Sequence, residues 1–180
     1  MKRVLGLDIS SSTIGWATLE IDDKEFKLKD YGYIKPSKKK QHSQIQRLSL
    51  TYDEIKKLIL EQNPDEIAVE QYASKFSSGR STARTIIVLS TYNETISLCC
   101  FREFEKETYK YAPVTIRSEL SKYFDKNIKG KDEAFDFVCK NISNFKTKSN
   151  RMGNIKKECY DEADAICVAL CHFIKTLDVE

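Results

Sequence analysis

One aspartate constrains this chain more than any other residue. Asp8 sits inside RVLGLDISSSTIGW, residues 3–16, where Val4, Leu5 and Leu7 lead up to it, Ser10, Ser11, Ser12 and Thr13 follow, and Ile14 resumes the apolar run. That pattern reads as a strand, a tight turn and a second strand. A carboxylate inside such a strand is costly to bury unless a cation or hydrogen-bond donors accompany it. The fold must therefore bring something to Asp8.

The rest of the chain alternates between the two periods. Residues 13–21 and 26–34 read as further strands joined at Asp22-Asp23-Lys24, so the chain opens as an antiparallel meander. A polar basic loop, residues 36–40, leads into residues 44–61, where Ile45, Leu48, Tyr52, Ile55, Leu58 and Ile59 recur at helical spacing until Asn63-Pro64. After this crossover helix a short strand, residues 66–69, is expected parallel to the first. Residues 83–100 predict a helix whose apolar arc (Ile86, Ile87, Val88, Leu89, Ile96, Leu98) is too wide for one core face, which implies burial on two sides or a partner subunit. A fifth strand at 108–111, ended by Pro113, and helices at 115–124 and 131–142 follow.

Acids punctuate this pattern at element ends. Glu70 directly follows Ile67-Ala68-Val69, repeating the arrangement at Asp8. By itself it suits a water-facing strand end equally well, but two carboxylates on neighbouring parallel strands approach closely only with a cation such as Mg²⁺ between them. A third cluster, Asp161-Glu162-Ala163-Asp164, opens the last helix. The helix dipole accounts for Asp161 and Glu162. Asp164 shares a face with Asp161 and lies between Ala163 and Ala165, small enough to let the helix approach a sheet. Convergence of Asp8, Glu70, Asp161 and Asp164 would make a two-metal site for in-line phosphoryl chemistry, with Mn²⁺ expected to substitute for Mg²⁺.

The cations complement such a site. Residues 71–82 interleave Tyr72, Lys75, Phe76 and Arg80 with small polar residues, which suits base stacking and phosphate contact and suits an ordinary loop as well. Lys146, Lys148, Arg151, Lys156 and Lys157 form a basic loop ahead of the last helix. A formal net charge of +3 neither demands nor excludes a polyanion, and 180 residues with 41% hydrophobic content suit a single domain. No apolar run reaches the roughly 20 residues of a membrane span and no secretory leader is evident, so a cytoplasmic location is expected. The six cysteines include no CxxC pair and read as buried free thiols; Cys167, Cys171 and His172 fall on a face that Ile166, Leu170 and Ile174 commit to the core.

In order, LGLDISSSTIGWA, IAVEQYASKF, YKYAPVTIRSEL and DEADAICVALCHF resemble the successive motifs of the RuvC family of Holliday-junction resolvases over nearly the whole chain. The resemblance implies an RNase H-like α/β fold, with a five-stranded mixed sheet of three antiparallel then two parallel strands flanked by helices, spanning residues 1–180. It places the family's catalytic acids on Asp8, Glu70, Asp161 and Asp164, its basic residue near the scissile phosphate on Lys131, and another basic residue, expected as a DNA phosphate contact, on Arg117. It implies a homodimer through helix 83–100 that cuts opposed strands of a four-way DNA junction symmetrically. The chain departs from the family pattern at Ile9 and Ser10, where a glycine is usual, and at Ala73, the junction-wedge position, with Tyr72 and Phe76 on either side. Its 143–157 segment is long, as in a phage, viral or divergent member, for which the cytoplasm would be a host cell's. The start also resembles CRISPR effector nucleases and actin-like kinases or ATPases, whose insertions or second lobe do not fit in 180 residues. A nuclease of flaps, other branched DNA or RNA-containing duplexes is the alternative of the same fold, and a noncatalytic DNA-binding module is disfavoured by the four acids.

Overall fold

The serine-rich turn folds the first strands back on each other as expected. In the computed structural model, which describes residues 1–71 and 83–177, β1 (Lys2–Ile9), β2 (Ile14–Asp22) and β3 (Glu25–Ile34) form an antiparallel meander. Ser10 organises the β1–β2 turn: its hydroxyl donates to the Thr13 carbonyl at 2.6 Å and accepts the Thr13 backbone N–H at 3.0 Å. β4 (Glu66–Glu70) lies parallel to β1 and β5 (Thr108–Tyr111) parallel to β4, giving the order β3-β2-β1-β4-β5. The five-stranded mixed sheet is the one expected.

Helices cover both faces. α1 (Gln44–Gln62) begins with a reciprocal Ser43/Gln46 capping box and ends at Asn63, which takes the left-handed conformation (φ 46°) before Pro64. With α2 (Ala83–Phe104), α1 packs on the face presented by Leu5, Leu7 and Ile9. α3 (Pro113–Phe124), α4 (Lys131–Asn141) and α5 (Glu158–Leu177) cover the face that carries Val4 and Ala68. Pro113, read as a strand terminator, is also the first residue of α3, where its missing N–H costs nothing.

α5 lies unusually close to the sheet because the sheet offers no side chain beneath it at two points. A Cβ on Gly6 would collide with the Ala165 carbonyl and with Ala169, and one on Gly15 with the Asp161 carbonyl. The helix runs from the C-terminal ends of β1 and β4 back to their starts. From Asp164 to His172 the helix advances about 12 Å, and from Glu66 to Glu70 the strand advances about 13 Å, so α5 measures out β4. Asp164 thus falls at one end, by Glu70, and His172 at the other, where its Nε2 lies 2.6 Å from Glu66 Oε2 and its Nδ1 2.7 Å from the Tyr111 hydroxyl.

Four expectations need correction. Ile45, counted on the buried face of α1, is 72% exposed: it lies in the capped first turn, and the buried residues of the helix begin at Leu48. Cys139 is exposed, whereas the other five cysteines are buried free thiols. Glu162 is not a solvated dipole acid: it is wholly buried and faces Lys148 Nζ at 3.5 Å. α5 also begins at Glu158, ahead of the acid cluster.

Candidate active site

Strand pairing decides which side chains can meet. Leu7 pairs with Val69, so the next residues, Asp8 and Glu70, stand side by side on the face that α5 covers. Asp164 descends from α5 onto this pair, and together Asp8, Glu70, Asp164, Lys131 and Arg117 line a cleft of about 120 Å³ closed by Ile116, Leu120 and Ile128. Asp161, one helical turn earlier, lines an adjoining groove of about 920 Å³. Lys131, at the first position of α4, lines both. Its Nζ lies 2.6 Å from Asp164 Oδ2 and 3.8 Å from Asp161 Oδ1.

The electrostatics follow from this crowding. Burial pushes the Asp8 carboxyl well above the usual carboxylate range, and the charges of Glu70 and Asp164 push it further while Lys131 opposes them. Burial, then Asp164, raises Glu70 to about 7, against the pull of Arg117 and Lys131. Asp164 and Asp161 are raised by burial and restrained by Lys131; a hydrogen bond from Thr13 also restrains Asp161. Lys131 feels burial as a downward push, yet its pairing with Asp164 leaves it raised. Glu70 is thus poised to hold a proton near neutrality unless a stronger positive charge stands beside it, and the other three acids are shifted in the same direction.

That charge would be a hard cation, since the donors are all carboxylate oxygens. Among the described residues, no three Asp, Glu, His or Cys side chains stand close enough together to hold an ion as they are. In the cleft, Asp164 is turned toward the Lys131 ammonium. The donor chemistry fits a divalent ion. Its entry requires the acids to ionise and to turn toward one another.

The expected DNA-contacting residues are placed unevenly. Arg117, read only as a phosphate contact, lies in the acid cleft, where α3 carries it beneath Glu70 and Asp164. Lys157 lines the groove beside Asp161. Lys148 is turned inward to Glu162, and Lys146 is tied through its backbone to the Tyr31 hydroxyl, which accepts its N–H at 2.9 Å. Arg151 and Lys156 are exposed on a small hairpin closed by a Ser149–Ile155 bridge. Tyr72, Lys75, Phe76 and Arg80 lie outside the described residues. Sequence reading passed over Glu158, which lies one turn before Asp161 and pairs with Lys35. Its spacing of three from Asp161 was the available signal.

A family model described as "Crossover junction endodeoxyribonuclease RuvC" matches residues 4–172. Curated relatives include a crossover junction endodeoxyribonuclease RuvC of Finegoldia magna, 30% identical over 94% of this chain and 92% of the relative. Another, of Alkaliphilus metalliredigens, is 27% identical over 94% of this chain and 91% of the relative. The fold is similar to Thermus thermophilus RuvC in complex with Holliday junction substrate (TM-score 0.74, 16% identity, 99% of this chain and 96% of that one). It also resembles the yeast mitochondrial Holliday junction resolvase (TM-score 0.71, 14% identity, 99% and 81% of the two chains). No helix among the described residues is long and apolar enough to cross a membrane.

Proposed function

The chain belongs to the RuvC family of crossover junction endodeoxyribonucleases, and we propose that it resolves four-way DNA junctions by hydrolysing one phosphodiester bond in each of two opposed strands. The observation that carries this reading is the cleft itself: Asp8, Glu70 and Asp164 arrive from two strand ends and a helix, with Lys131 and Arg117 facing them.

Asp8, Glu70, Asp164 and Asp161 are the residues that would hold two Mg²⁺ ions, or Mn²⁺ in their place; such ions activate water and stabilise the leaving oxygen in phosphodiester hydrolysis. The scissile phosphate lies over the acids, where Lys131 and Arg117 offset its charge and the charge that develops in the transition state. A bond forms from the water oxygen to phosphorus as the bond to the leaving sugar oxygen breaks, which leaves a nick that can be resealed. Lys131, exchanged from Asp164 to the phosphate, keeps a positive charge at the mouth shared by cleft and groove.

Symmetric cutting needs two such clefts. α2 buries Tyr92, Ile96, Cys99 and Cys100 against α1 and the sheet while exposing Ile87, Leu98 and Phe101, each more than half accessible. This second apolar stripe is the surface through which the chain pairs with a second copy. Lys146, Lys148, Arg151, Lys156 and Lys157, with Tyr72, Lys75, Phe76 and Arg80, contribute phosphate and base contacts outside the cleft. The decisive experiment offers a synthetic four-way junction, a flap and a plain duplex to the protein with Mg²⁺. Paired, symmetric nicks in the junction are expected, and a monomer that cuts all three alike would overturn the reading.

A further inference from the structure

The β3–α1 loop has a basic run that the catalytic reading leaves unused. It forms one wall of the 920 Å³ groove, whose opposite wall is the start of α5 and which meets the acid cleft at Lys131, a residue that lines both. Five lysines and two carboxylates line this groove. Two of the lysines are already neutralised, Lys35 by Glu158 and Lys131 by Asp164. Lys38, Lys39 and Lys157 are exposed and have no carboxylate partner among the described residues.

We propose that this groove holds the sugar-phosphate backbone of one DNA arm next to the cleavage point, with Lys38, Lys39 and Lys157 as its phosphate contacts. The proposal rests on the resolvase reading, in which Lys157 is already a phosphate contact, and extends the substrate surface to the β3–α1 loop.

A lysine run is ordinarily a solvated face, and two features set this one apart. The first is continuity, since a strand whose phosphate lies over Asp8 and Asp164 runs directly into the groove past Lys131. The second is that the loop is held in shape. Pro36 is buried, Ser37 Oγ lies 2.9 Å from His42 Nδ1, and the Lys39 carbonyl accepts hydrogen bonds from His42 N–H at 3.1 Å and Arg47 Nη2 at 3.2 Å. The lysines therefore project from a fixed turn rather than from a solvated tail. Unpaired cations in a concave wall raise the local positive potential, and each phosphate they neutralise releases a counterion.

The test compares wild type with Lys38→Ala/Lys39→Ala, both full-length, for binding of a fluorescent four-way junction at several salt concentrations, without divalent ions so that the DNA stays intact. A second double variant, Lys24→Ala/Lys27→Ala, removes the same charge from exposed positions at the other end of the sheet. The groove variant is expected to bind about tenfold more weakly and to lower the slope of log K against log salt by nearly 2, from about 0.9 per phosphate contact. The distant variant should keep the wild-type slope. Equal effects of the two pairs, or an unchanged slope in the groove variant, would overturn the proposal. So would wild-type DNA binding by a groove variant that has lost binding of a poly-glutamate peptide, since the groove would then serve an acidic protein segment. Binding is read apart from cleavage: a wild type that fails to cut the junction sinks the resolvase reading, whereas one that cuts it with the groove lysines irrelevant sinks only this proposal.

Discussion

Gly15 lies directly against the backbone carbonyl of Asp161, so closely that a Cβ at that position would collide with it. β2 and the acid-bearing turn of α5 are thereby in backbone contact, and the depth of that helix on the sheet decides where Asp161 and Asp164 point. Gly15→Ala should force the helix outward. A destabilisation of about 1–3 kcal/mol is expected, as for other overpacked sites. Cleavage should fall further than junction affinity, because both acids move. Thermal unfolding with cleavage and binding assays checks this; unchanged melting and activity would mean the contact has slack.

Asp8→Asn should reduce cleavage to background while leaving junction binding close to wild type. It should also raise the melting temperature of the metal-free protein above neutral pH, since it removes a charge whose burial beside Glu70 and Asp164 opposes folding. Cleavage at wild-type rate would remove Asp8 from the metal site.

Lys131→Ala should lower the cleavage rate by at least about tenfold, a loss of roughly 1.4 kcal/mol in transition-state stabilisation, with a smaller loss of affinity. Lys131 restrains the pKa of Asp164. Without it Asp164 holds its proton to higher pH, so the acid limb of the pH–rate profile should shift upward. Equal losses in rate and affinity, with no shift of that limb, would make Lys131 only a phosphate contact.

Glu70 supplies a pH dependence with a defined sign. Its folded pKa, about 7, exceeds the ordinary 4.5, so the folded state binds more protons than the unfolded state between those values. Its ionisation therefore costs stability as pH rises through that window. In metal-free protein, Glu70→Gln should gain melting temperature relative to wild type as pH goes from about 5 to about 8, and Mg²⁺ should narrow the difference. A difference that stays flat with pH would show that Glu70 ionises freely.

Paired Leu98→Asp and Phe101→Asp changes should convert the protein to a monomer by light scattering while leaving the fold intact, because both side chains are exposed on α2. Retention of a dimer would move the interface elsewhere.

Much of this architecture is local and hence legible in the chain. The strand around Asp8, the serine turn, the α1 helix ending at Asn63-Pro64 and the start of β4 all depend on side-chain period and turn chemistry. Asp161 and Asp164 were recognisable as one face from their spacing, and the flanking alanines anticipated the close approach to the sheet. A first-turn acid such as Glu162 looks the same in sequence whether it faces water or, as here, is buried and paired with Lys148. Arg117 was placed with the DNA contacts because the sequence does not reveal that α3 delivers it under Glu70. Ile45 satisfied the helical period yet lies in the first turn of α1, ahead of the buried stretch that begins at Leu48.

The sequence alone determined which elements form and which acids end them, since those properties reside in neighbouring residues. Tertiary structure alone decided that α5 crosses the sheet at Gly6 and Gly15, matching its length to β4 so that Asp164 meets Glu70 while His172 meets Glu66. The cleft, its raised carboxyl pKa values and the groove beside it follow from that crossing, because Coulomb interactions depend on distances through space that the order of residues along the chain does not contain.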